Sequence, residues 1–103
     1  MSTKSLLTGM RPVHPGEVIR EIVLPAIKLP KAQIARLLGI SRPALYDILN
    51  CKAPITPAMA VRFGKLFGNG ARVWIVMQGA YDLAAAEREM KAEIKKIPTL
   101  EAA

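Results

Sequence analysis

The sequence predicts an all-α fold, a single five-helix domain over residues 1–103 with a long last helix, and three observations carry that reading. Apolar residues recur at spacings of three and four rather than two. No Asn-Gly type turn separates alternating runs, so hairpins have no signal. Proline and glycine mark the starts and ends of the apolar stretches, as punctuation between helices does. At 103 residues and 51% hydrophobic content the chain can bury one modest core.

The first helix opens at His14-Pro15-Gly16-Glu17, where a proline in the first turn forfeits no hydrogen bond and Glu17 meets the positive end of the helix dipole. Val18, Ile19, Ile22 and Val23 then face inward. Pro25 and Pro30 bracket a connection, because neither can donate to a continuing ladder. The second helix runs from Lys31 to Leu38. Gly39 suits the left-handed residue that closes it, and Ser41 can accept from the first free amides of the third helix, roughly Arg42 to Leu49. The fourth starts at Thr56 and Pro57, buries Ala60, Phe63 and Phe67, and stops at Gly68-Asn69-Gly70. The fifth spans about residues 71–96, ahead of Pro98, with Trp74, Met77, Tyr81, Ala84 and Ala85 closing the core under the first helix.

Residues Lys31 to Ile48 read KAQIARLLGISRPALYDI, the pattern of a helix-turn-helix. Ala35 is small where two helices cross, Gly39 makes the turn, and Ile34, Leu38, Leu45 and Ile48 form the wedge between them. At about 100° per residue the third helix turns Leu45, Ile48 and Leu49 to one side and Arg42, Pro43, Tyr46, Asp47 and Asn50 to the other. The second set is available to double-stranded DNA. Arg42 lies in the first turn, which enters the major groove, and its fork matches guanine O6 and N7. Pro43 offers a rigid apolar face to a thymine methyl. Asp47 can accept from cytosine N4, or it is a surface acid or the partner of a nearby arginine. Tyr46 reaches a phosphate or covers the core edge. Lys31, Ser41, Asn50, Lys52 and Thr56 are candidates for the flanking backbone, where contacts position without specifying.

The charge distribution agrees with a polyanionic partner. Up to Ala80 there are eleven basic side chains against Glu17, Glu21 and Asp47, whereas from Tyr81 onward four basic residues face five acidic ones. Clustered cations of that kind attract nucleic acid. The single cysteine, Cys51, excludes an internal disulfide, and no zinc spacing or cofactor motif is present, so neither metal nor cofactor is expected. The opening MSTKSLLTGM has no sustained apolar region, and the longest apolar run, Val73 to Met77, is too short to span a bilayer. A cytoplasmic protein is expected. His14, the only histidine, lacks a nucleophile or carboxylate pair at a catalytic spacing, so it reads as a helix-start residue and the chain as no enzyme.

Val76, Leu83, Met90, Ile94 and Ile97 form a second apolar line on roughly the opposite face of the last helix. Such a line marks a partner surface, a second copy or another protein, unless it packs on the N-terminal segment. A homodimer is expected, because a two-fold protein reads both halves of a palindromic operator.

The chain resembles the HigA-type antitoxins, also called VapI-type, within the helix-turn-helix regulators related to phage repressors. The resemblance covers about Arg11 to Glu87. It rests on RPVHPGE at Arg11 to Glu17, the helix-turn-helix, LNCKAPIT at Leu49 to Thr56, and the W-x3-Q-x2-Y-x-L pattern of Trp74, Gln78, Tyr81 and Leu83. It implies a phage-repressor-like fold, dimeric binding to the chain's own operator, and neutralisation of a HigB-type ribonuclease toxin. A stand-alone regulator without a toxin, or an interaction module that no longer reads DNA, remains open. Pro30, Lys31 and Cys51 stand where the family commonly has a small polar residue such as Ser, a Gln and a Gly. Lys31 can still hold a phosphate but loses the amide's hydrogen-bond pattern. A left-handed backbone at Cys51 costs about 1 kcal/mol, so the turn is expected to shift and give Asn50 that conformation.

Overall fold

Helices account for every regular element of the computed structural model, which describes residues 11–101; the opening MSTKSLLTGM read above lies outside the described residues. Helix α1 covers residues 15–27 in three consecutive stretches, Pro15–Val18, a wide π-helical turn Ile19–Val23, and Leu24–Ile27. Then come α2 (Lys31–Leu38), α3 (Arg42–Leu49), α4 (Pro57–Phe67), α5 (Arg72–Glu89) and α6 (Lys91–Lys96). The bounds of α2 and α3 are those expected.

Helix α1 departs from its expectation twice, for one reason. Across the wide turn the Leu24 amide donates to the Ile19 carbonyl, five residues back instead of four. The extra residue puts the side chains out of step with a regular helix, so Ile22 is 66% exposed while Ile19 is fully buried. It also lets the helix run through Pro25. The proline falls in the first turn after an already interrupted ladder, and α1 ends only at Lys28, which is left-handed (φ 62°).

The expected long last helix is interrupted at Met90 (φ −101°, ψ 16°), which divides it into α5 and α6 and makes six helices among the described residues where five were expected. Each residue of α6 is exposed, so no burial straightens the chain across that point.

The core lies where α1 packs on α3 and α5, α2 on α3 and α4, and α4 on α5. Ile19, Ile34, Leu45, Ile48, Leu49, Ile55 and Phe63 are its fully buried large side chains, each contributing about 1.5–3 kcal/mol through removal of apolar area from water. Phe63, the half-buried Phe67 and Trp74 form an aromatic cluster with ring centroids 5.6 to 6.5 Å apart. No helix among the described residues is long and apolar enough to cross a membrane.

Candidate nucleic-acid interface

The helix-turn-helix is built by two matching helix ends. After α2 the Gly39 amide donates to Arg36 and the Ile40 amide to Ala35, with Gly39 left-handed at φ 73°. After α3 the Cys51 amide donates to Ile48 and the Lys52 amide to Asp47, with Cys51 left-handed at φ 61°. Both are Schellman closures, and the residue after the cap must be left-handed for the two amides to fold back. Cys51 therefore holds the conformation expected of Asn50, which sits at φ −91°. The expectation fails because the hydrogen-bond geometry fixes the position, at a cost of about 1–2 kcal/mol for a residue with a Cβ.

Two arginines finish these ends. Arg62 of α4 donates through Nη1 to the Leu38 carbonyl at 2.7 Å and reaches Gly39 O at 3.4 Å. Arg20 of α1 donates through Nη1 to Leu49 O at 2.7 Å, while its Nε bonds Glu21 at 2.8 Å and Nη2 lies 3.7 Å from Glu17. Cations at carbonyl ends suit the helix dipoles. Sequence reasoning counted both among the surface charges, because nothing local distinguishes them from the other basic residues.

The base-reading candidates share one surface. Arg42, Pro43, Tyr46 and Asp47 are all exposed, as is the backbone candidate Asn50 beside them, whereas Leu45, Ile48 and Leu49 are buried. Ser41 Oγ accepts from the Ala44 amide at 3.1 Å, so it caps α3 and fixes the start that carries Arg42. The Lys31 ammonium lies 5.9 Å from the centre of the Tyr46 ring, a cation–π distance that ties the start of α2 to the outer face of α3. Lys52 is exposed at the closure of α3, and Thr56 caps α4 by accepting from Met59 at 3.2 Å. Asp47 makes no ion pair among the described residues; its main-chain oxygen closes the α3 turn.

The segments quoted for the family resemblance hold this surface from behind. His14 caps α1 by accepting at Nδ1 from the Gly16 amide, 2.9 Å away. Burial lowers its pKa against opposing contributions from Asp82, the Ala53 backbone and Glu17. Gly16 lies against the main chain at the end of α3, where a Cβ would overlap the Ile48 carbonyl. Gln78, only 5% exposed, accepts at Oε1 from the Ile55 amide (2.8 Å) and donates to Asp82 (3.0 Å), pinning the loop that carries Lys52 and Thr56. Tyr81 meets His14 edge-on at 5.0 Å. A glutamine at a buried helical position between Trp74 and Tyr81 was the available signal for this strap. Leu83 takes no part in it and is 61% exposed; Val76, Met90, Ile94 and Ile97 are exposed with it.

No family model matches the chain. Virulence-associated protein I of Dichelobacter nodosus is 35% identical over 92 residues, 89% of this chain and 85% of that protein. Among solved structures, the Pseudomonas aeruginosa antitoxin HigA with the higBA promoter superposes with a TM-score of 0.83 at 35% identity, covering 88% of this chain and 100% of that one. The antitoxin GraA in complex with its operator superposes at 0.81 with 32% identity, covering 91% and 95%.

Proposed function

The chain belongs to the HigA family of helix-turn-helix antitoxins and regulators, and on that premise we propose that it binds its own operator as a homodimer, represses its operon and neutralises a ribonuclease toxin. The observation that carries the DNA reading is the outer face of α3, where five contiguous-in-space polar or rigid side chains are exposed on a helix locked at both ends. Relatives of the same fold are known with promoter or operator DNA. Arg42 enters the major groove with the first turn of α3 and takes a guanine edge; Pro43, Tyr46 and Asp47 complete the reading surface. Lys31, Ser41, Asn50, Lys52 and Thr56 hold phosphates on either side. Val76, Leu83, Met90, Ile94 and Ile97 join the two copies, and the protein acts in the cytoplasm without catalysis of its own.

Two measurements test the reading. The protein should bind the DNA upstream of its own gene far more tightly than a scrambled duplex, and equal affinity refutes operator recognition. Where a HigB-type ribonuclease is encoded by the adjacent gene, co-expression with this chain should restore growth. Failure to restore growth removes the antitoxin role and leaves the regulator standing.

A further inference from the structure

Lys31 opens α2 at a place that offers a cation little to hold it. The residue before it, Pro30, gives the helix no side-chain cap, and the first turn of α2 carries no acidic residue. A lysine there faces the positive end of the helix dipole, and it makes no ion pair among the described residues. What the fold does bring to its ammonium is the ring of Tyr46, with Nζ 5.9 Å from the ring centre. At that distance the electron-rich face of an aromatic ring attracts a cation.

Tyr46 sits where such a hold counts. It follows Arg42 by one turn of α3, so its ring stands beside the side chain placed to enter the groove, and it is 42% exposed. The left-handed Gly39 and the buried wedge of Ile34, Leu38, Leu45 and Ile48 fix α2 against α3, and with them the spacing of Lys31 and Tyr46. In a helix-turn-helix the first helix crosses the DNA backbone while the second enters the groove. A cation at the start of α2, drawn toward the outer face of α3, therefore stands at the edge of the groove, where phosphates run. The phenol hydroxyl is a poor reader by comparison, because it both donates and accepts and so meets any base edge without selecting one.

We infer that Tyr46 is a positioning residue, whose ring holds the Lys31 ammonium toward a phosphate of the duplex and reads no base itself. The inference rests on the DNA-binding reading above and narrows the part that Tyr46 plays in it.

The test pairs NMR on the free full-length protein with a double-mutant cycle on DNA, each variant being used where its melting curve shows it folded. The ring current of Tyr46 should move the Lys31 ε-methylene protons upfield; Y46L should abolish that shift and Y46F should keep it. Titrated with the operator and with a scrambled duplex, Y46L should weaken both by the same factor, about two- to fivefold, and Y46F should weaken neither. K31M should weaken both and lower the slope of log K against log salt by about 0.9, and adding Y46L to K31M should cost nothing further. The inference is overturned if the wild-type lysine protons match those of Y46L, if the Y46L and K31M losses multiply, if Y46F loses as much as Y46L, which gives the contact to the hydroxyl, or if Y46L relaxes preference at one base position, which makes the ring a reader. Coupling seen equally on both duplexes by a protein with no operator preference would refute operator recognition and leave this inference standing.

Discussion

Replacing Gln78 by methionine isolates the strap that holds the loop behind the reading face. The side chain keeps its length, fills the same buried site, and loses both polar ends. The amide of Ile55, a residue only 1% exposed, then has no acceptor. Leaving such a group unsatisfied costs about 1–3 kcal/mol, while the bond to the exposed Asp82 contributes little. For a domain of this size each kcal/mol moves the melting temperature by about 4–8 °C, so Q78M should melt roughly 4–24 °C lower. Circular dichroism measures the melt, and amide exchange at Ile55 should quicken with it. Q78E retains the acceptor and should recover part of the loss, limited by a charge beside Asp82. Operator affinity should fall through Lys52 and Thr56 with base preference retained. If Ile55 exchanges as slowly in Q78M as in the wild type, the glutamine is not what holds the loop, and any lost stability belongs to packing.

Arg42→Ala should cost roughly 1–3 kcal/mol on the operator and relax preference at one position per half-site, whereas Lys52→Ala should weaken all duplexes and lower the slope of log K against log salt by about 0.9; equal loss on operator and scrambled DNA for Arg42→Ala would make it a phosphate anchor only. His14 accepts a hydrogen bond at Nδ1 and has a pKa lowered by burial, so the unfolded chain takes up its proton first. Its contribution to stability is therefore complete above the ordinary histidine value of about 6.5 and lost as pH falls from there toward the lowered native value. Denaturant midpoints at pH 7.5 and 5.5 (about one pH unit either side) should differ in the wild type and much less in H14N, which keeps a capping oxygen; equal losses would assign the effect elsewhere. L83S/M90S/I94S should sediment as a monomer with its helix content intact, and a persisting dimer would move the interface off this line.

The parts of the fold legible in the sequence are those where one residue type carries one geometric duty. Gly39, Ser41 and Pro43 fix the ends of α2 and α3 because a left-handed turn, a cap and a first-turn proline each have a recognisable chemistry. The matching closure after α3 was expected one residue early, at Asn50, because a cysteine fills the place that glycine fills after α2, and only the amides of Cys51 and Lys52 folding back fix it at Cys51. The outer face of α3 followed from helical periodicity alone, and its exposure agrees. Periodicity failed at Ile22, where the helix is not α-helical. Arg20 and Arg62 were illegible for another reason: their acceptors, Leu49 and Leu38, lie 29 and 24 residues away in the chain, beyond any local pattern.

The wide turn of α1 also says something about how the length of this helix can change. The bond from the Leu24 amide to the Ile19 carbonyl spans five residues, so removing one residue between them would turn it into an ordinary α-helical bond between the same two groups. Buried Ile19 and Leu24 would stay anchored, and the His14 cap and Lys28 stop would lie in a continuous helix. Ile22 is the residue whose loss costs least core. A chain shortened there should fold and melt near the wild-type temperature, yet it would lose the apolar side chain that the turn exposes. In an alignment of kindred chains, a one-residue gap at this turn would then distinguish lineages by the surface that α1 presents while the DNA-reading half stays in register; a deletion variant that fails to fold would show that the turn is instead required by the core.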